Sequence, residues 1–167
     1  MSSEQRGMAN LIIVSGGQSG VDRAALEVAV EKGIDYGGWC PKGGWAEDRI
    51  QPPGVMTAFP NLRETPSADP AQRTEWNVRD SDVTLILVGH GGLRASEGTG
   101  LTAAFAQKHA KPLLVADLSD PLAEENVREW LKAAPRPLVL NIAGCRESEA
   151  PGIYARAKHI LRRVITS

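Results

Sequence analysis

The chain has 167 residues, 42% of them hydrophobic and 23% charged, with a net charge of −1 and a pI of about 6.3. That balance gives no reason to expect nucleic acid or a membrane surface as a partner, and two cysteines, Cys40 and Cys145, are too few for a disulfide framework. The length suits one domain with a real core, and with no signal peptide and no apolar run able to span a bilayer the expected compartment is cytoplasmic. Residues 1–10 read as a polar, frayed tail and residues 11–167 as a single domain.

Leu11 to Val14 is a short β-branched run, the mark of a buried strand. It passes through Ser15-Gly16-Gly17-Gln18-Ser19-Gly20 into a helical pattern in which Val21, Ala25, Val28 and Ala29 would face a sheet. A strand, a glycine loop and a helix start are a common way to hold an anion, because the first helical turn has unpaired N–H groups and a partial positive charge. The spacing is neither G-x-G-x-x-G nor a P-loop. A tight turn that needs glycine is the plain alternative. Asp22 would complement the helix dipole or, if it faces a ligand, accept a donor from it.

Gly33 reads as a C-terminal cap and Ile34 to Trp39 as a second strand. From Cys40 to Ala68 the chain is rich in Pro and Gly, with one possible extended piece at Leu62 to Thr65. A loop of that length usually has a task such as covering a ligand. Its cations Lys42, Arg49 and Arg63 either face an anion or are solvated surface. Asp69-Pro70-Ala71-Gln72 signals a helix start, the helix running to about Asp80 with Arg73, Asn77 and Asp80 on a polar side.

Val83 to Val88 is apolar on both faces, as a central parallel strand should be. After the loop around His90, Ser96 to Thr102 enters a second glycine-led helix whose inner face is expected to be Leu101, Ala104, Phe105 and Lys108, with Thr99 or Thr102 capping it or holding a ligand oxygen. Pro112 to Ala116 and Leu138 to Ile142 are further strands. Helices follow, one with a stripe of Val127, Trp130, Leu131 and Ala134, the other with Ile153, Ala157, Ile160, Leu161 and Val164.

The alternation predicts an α/β fold: a Rossmann-like open, mostly parallel sheet flanked by helices on both faces. The polar loops after Val14, Trp39, Val88 and Ile142 would then share the carboxyl edge, where ligands bind. The histidines show no metal-ligand spacing with the cysteines, the serines lack a nucleophile elbow, and Cys40 reads as structural before reactive. No catalytic residue and no metal ligand is assigned.

Several stretches resemble one family. They are Ser15 to Leu26, Gly37 to Gly43 with Ala46-Glu47-Asp48, Leu62 to Thr65, Gln72 to Asp82, Gly98-Thr99, and Arg146-Glu147-Ser148 with Pro151 to Tyr154. The family is that of molybdenum carriers, similar to molybdenum-cofactor carrier proteins and, more distantly, to lysine-decarboxylase-like nucleotide phosphoribohydrolases. The resemblance covers nearly the whole chain. It implies a Rossmann-type fold and, as ligand, the molybdenum cofactor (molybdopterin), an anionic pterin carrying a phosphate. In the hydrolases Pro-Gly-Gly-x-Gly-Thr-x-x-Glu carries the catalytic Glu. Here Thr102 stands at that position and Arg94-Ala95-Ser96 replaces Pro-Gly-Gly, so that route to hydrolysis lacks its acid.

The expected ligand residues are therefore Ser15, Gly16, Gly17, Gln18, Ser19, Gly20 and Asp22 in the first loop, Lys42, Arg63 and Thr65 in the long one, Arg73 and Asn77 on the polar helix, and Gly98, Thr99 and Thr102 at the second glycine-led start. The leading function is a non-enzymatic carrier of an anionic, phosphate-bearing pterin. The alternatives are a nucleotide-binding or N-glycoside-hydrolysing enzyme, with Glu47, Asp22 or Glu97 as acid, and a nucleotide-sensing module. A homodimer or homotetramer is expected, with the Asp69–Asp80 helix and its Trp76 as interface, and a molybdoenzyme is a possible recipient of the cofactor.

Overall fold

The computed structural model describes residues 10–166, so the expected N-terminal tail lies, except for Asn10, outside the described residues. The elements are β1 (Leu11–Val14), α1 (Val21–Glu31), β2 (Asp35–Gly37), β3 (Trp39–Cys40), β4 (Arg63–Glu64), α2 (Pro70–Arg79), β5 (Val83–Val88), α3 (Glu97–Lys108), β6 (Leu113–Asp117), α4 (Ala123–Ala133), β7 (Leu138–Gly144) and α5 (Ile153–Val164). Five strands form one sheet in the order β2-β1-β7-β5-β6, and every pairing is parallel. This is the open Rossmann-like sheet that the alternation predicts. β7, the last strand of the chain, lies at its centre.

Strand periodicity explains the two layers of helices. Leu85, Leu87, Leu138, Leu140 and Ile142 point to one face, where they meet α1, α4 and α5 in the main core. Ile86 and Val88 point to the other face and pack with Cys145 and Ala103 of α3. The expected stripes of α1, α4 and α5 are on the inside. The expected stripe of α3 is not: Thr99, Thr102 and Ala106 are its buried residues, and Ala104 is exposed. Short side chains at 99, 102 and 106 let α3 lie close to the sheet, which leaves Leu101 and Phe105 half-buried at its flank.

The second predicted strand divides. Asp35–Gly37 joins the main sheet, whereas Trp39–Cys40 pairs in parallel with Arg63–Glu64, the extended piece expected at Leu62 to Thr65. Gly38, at φ 127°, makes the break. The long loop folds over its own small core of Leu26, Cys40, Ala46, Val55, Phe59 and Leu62. The Asp69 cap is present, its Oδ1 accepting from the Ala71 N–H at 3.0 Å. Gln72 reaches back to the Ser67 N–H at 2.9 Å and so fixes the entry to α2. Among the described residues no helix is long and apolar enough to cross a membrane.

Candidate functional site

Because the strands are parallel, the loops after β1, β5 and β7 emerge at one edge of the sheet. There, on the face covered by α2 and α3, a cleft opens between the β1–α1 loop, the two helices and the end of β7, with a volume of about 80 Å³. At roughly 10–15 Å³ per water, that is room for roughly five to eight waters, or for a phosphate and the edge of a ring. Seven predicted ligand residues border it: Gly16, Gln18, Asp22, Arg73, Asn77, Gly98 and Thr102.

Its floor is an ion pair. Arg73, on α2, and Asp22, in the first turn of α1, lie 3.3 Å apart with side chains 10% and 9% exposed. Arg73 also donates to the Gly16 carbonyl at 3.1 Å. A side chain at Gly16 would run into that guanidinium, so glycine there lets α2 reach the loop. Burial pushes the Asp22 carboxyl above the usual carboxylate range, against the pull of Arg73 and of the Gln18 N–H that donates to it. Asn77 borders the cleft but is committed elsewhere: its Oδ1 accepts from the Trp39 N–H at 2.7 Å and its Nδ2 donates to the Trp39 carbonyl at 2.9 Å, which docks α2 on β3.

The two glycine-led helix starts are not alike. At α3, Ser96 is the cap and takes the Thr99 N–H at 3.2 Å, so neither Thr99 nor Thr102 caps it. Thr102 instead back-bonds to the Gly98 carbonyl at 2.9 Å. That leaves the amides of Glu97 and Gly98 without partners among the described residues, at a helix end that borders the cleft. At α1 the β7–α5 loop lies over the helix start. The Val21 N–H bonds the Cys145 carbonyl at 3.2 Å, and a side chain on Gly20 would strike that same carbonyl.

The β1–α1 loop also uses its amides internally. The Gly17 N–H goes to Ser15 Oγ, Gln18 to Asp22 Oδ2 and Ser19 to Gln18 Oε1. The side chain of Gln18 behaves differently. Its Oε1 accepts from the N–H groups of Ser19 at 3.0 Å and Glu47 at 2.8 Å, which decides which end of the amide is oxygen. Its Nε2 is buried and has no partner among the described residues. A buried donor left unmade costs about 1–3 kcal/mol.

The remaining predicted residues do not border this cleft. Ser15 donates to the Asp22 carbonyl at 2.9 Å. Gly17, at φ 76°, turns toward Val55 and Leu62 of the loop core. Ser19 donates to Glu47. Lys42 and Arg63 are exposed, and Arg63 stacks on the Trp39 ring with 4.3 Å to its centroid. Thr65 is spent on the Cys40 and Ser67 carbonyls. Thr99 is buried beneath the helix start, its Oγ1 without a partner among the described residues. Arg49 and His90 are exposed and are not in the wall of the cleft either. Cys40 is fully buried, and burial pushes its thiol up to about 11, the environment of a structural cysteine.

Polar residues that border the cleft without having been expected there include Asn141, Arg146 and Ser96. A polar residue inside the apolar run Leu138 to Ile142 was the available signal for Asn141, which is 2% exposed and donates to Thr84 Oγ1 at 3.3 Å. Arg146 sits in the polar loop after the last strand, and its guanidinium lies over the Trp45 ring, 5.7 Å from the centroid.

The model of the circularly permutated YpsA SLOG family matches residues 13–165. The chain belongs to that family. A terminal strand placed at the centre of the sheet fits such a permutation. The chain is also similar to a crystal structure named "Putative molybdenum carrier protein" from Syntrophus aciditrophicus SB. The two are 40% identical with a TM-score of 0.82, over 95% of this chain and 97% of the other. No curated protein matches.

Of the acids that a hydrolase of this SLOG chain would need, Glu47 is tied into a latch. It accepts from Ser19 Oγ, from Ser148 Oγ and, at 3.2 Å, from the Ser148 N–H. Burial alone would raise it, but these bonds outweigh that and hold it below the usual range. Glu97 is exposed on α3. Asp22 is the one of the three that borders the cleft.

Proposed function

We propose that this protein binds and carries the molybdenum cofactor, taken as cargo, with its phosphate at the start of α3. The observation that carries the reading is a set of donors without partners among the described residues: the Glu97 and Gly98 amides at the helix end that borders the cleft, and the buried Nε2 of Gln18, a residue of its wall. Arg73 and Arg146 add positive charge at the same wall. A helix N-terminus favours an anion by about 0.3–1 kcal/mol when exposed and up to about 2 kcal/mol when partly buried. The name of the similar crystal structure supports molybdenum as the cargo's metal. The pterin would reach the cleft with one edge, its bulk in the open mouth, and these residues supply binding and orientation.

The test is to purify the protein from its own host and measure what stays with it. Molybdenum by elemental analysis and pterin fluorescence after oxidation should both follow the protein through gel filtration. A preparation that carries a nucleotide, and neither pterin nor molybdenum, refutes the reading.

A second reading is nucleotide N-glycoside hydrolysis with Asp22 as acid, favoured by its raised pKa at the cleft wall. The charge of Arg73 at 3.3 Å opposes protonation there. Release of ribose 5-phosphate from nucleoside monophosphates, lost in Asp22→Asn, would support hydrolysis over carriage.

A further inference from the structure

The cleft offers more than positive charge. Gln18 is fixed by two backbone N–H groups on Oε1, so its remaining group, an NH₂, can only donate. Beside it, Asp22 Oδ2 is occupied by the Gln18 N–H and by Arg73, while its other oxygen carries no bond among the described residues. The backbone N–H of Gln18 bonds the Asp22 carboxylate at 3.2 Å, so the residue that carries the spare donor and the residue that carries the spare acceptor are tied together, and both border the cleft. A fully deprotonated oxyanion matches only half of this, because it has no hydrogen to give a carboxylate. A ring edge with a carbonyl next to N–H groups matches both. Adenine presents the opposite order, a ring acceptor beside an amino donor.

We propose that Gln18 and Asp22 read the edge of the ligand's ring, and that the ligand class is a phosphate-bearing 2-amino-4-oxopyrimidine, the edge that pterins and guanine share. Gln18 Nε2 donates to the ring carbonyl, and the Asp22 carboxylate accepts from the ring N–H and amino groups. The phosphate goes to the Gly98 end of α3. This rests on the anion reading above and adds selectivity to it. Sites built to pair a polar edge discriminate strongly against ligands lacking it, since the protein's own groups are otherwise left unpaired.

The experiment is calorimetric titration of the full chain with neopterin monophosphate, GMP, AMP and inorganic phosphate, repeated with Gln18→Glu. That variant keeps an acceptor for the Ser19 and Glu47 amides and removes the donor. Neopterin monophosphate or GMP should bind at least about tenfold tighter than AMP, the equivalent of one hydrogen bond. Gln18→Glu should bring the preferred ligand down to the AMP level. The tighter of the first two identifies the source of the edge. If all three organic phosphates bind alike, the edge is not read and the proposal falls, while the anion reading stands. If none binds, and phosphate does not either, both fall. If Gln18→Glu keeps the parent's preference, Gln18 is not the reader.

Discussion

Replacing Arg73 by Met tests the floor of the cleft. The change keeps an apolar stem of similar length and leaves Asp22, whose side chain is 9% exposed, without its cation. Removing one member of a buried pair costs about 3–5 kcal/mol. Of that, about 1–3 kcal/mol belongs to the lost bond with the Gly16 carbonyl. For a chain of this size a loss of 3–5 kcal/mol is a melting temperature lower by roughly 6–20 °C. The remaining share depends on pH, with a definite sign. Burial already raises Asp22 in the folded state above its ordinary 3.8, so the native state holds that proton longer than the unfolded one. Stability then falls as pH rises from about 3.8 up to the folded pKa, and is flat beyond it. Without Arg73 the folded pKa moves higher still and the loss continues over a wider range. Denaturant unfolding should therefore show a larger deficit for Arg73→Met at pH 8 than at pH 4. Adding Asp22→Asn should recover the pH-dependent share and leave the Gly16 share unrecovered. A deficit under about 1 kcal/mol at pH 8, or one equal at both pH values, refutes the claim that a buried charge is what Arg73 holds.

Gly17→Val should lower the melting temperature, because the new side chain meets Val55 and Leu62 at 3.0 and 3.1 Å in a backbone with φ 76°; a variant that melts like the parent contradicts that packing. Ser96→Ala removes the α3 cap and should cost about 1 kcal/mol by denaturant unfolding, with phosphate affinity lowered as the first turn frays. Glu31, held down to about 2 by Arg162 and Lys158, stabilises the fold above its ordinary 4.5 and loses that contribution as pH falls toward 2. Glu31→Gln should thus differ from the parent at pH 6 and match it at pH 2. Light scattering at micromolar concentration should give a homodimer or homotetramer, with Trp76→Ala shifting it toward monomer, and a parent monomer mass rejects α2 as an interface.

Local chemistry determined most of the elements, though not the division of the second predicted strand or the buried face of α3. β-branched runs, the Asp69-Pro70 helix start and the 3.6-residue stripes of α1, α4 and α5 are short-range signals, and each produced its element. The parallel sheet followed from alternation, and with it the placement of the polar loops at one edge. The order of strands did not follow, because which strand neighbours which is set by burial across the whole sheet; the place of β7 between β1 and β5 is decided there. The same holds inside the site. That Ser15 to Gly20 opens a helix was legible, but that the β7–α5 loop would cover that helix start was not, since Cys145 is remote in sequence from Val21. Arg73 and Asn77 were legible as a polar stripe on α2, yet only the fold decided that Arg73 would meet Asp22 while Asn77 would be spent on Trp39. Lys42 and Arg63 carry charges suited to an anion, and only the pairing of β3 with β4 turned Arg63 onto a tryptophan instead. Residue type and spacing specify which groups are available. Which of them converge depends on long-range packing, and that is where the cleft of this chain is made.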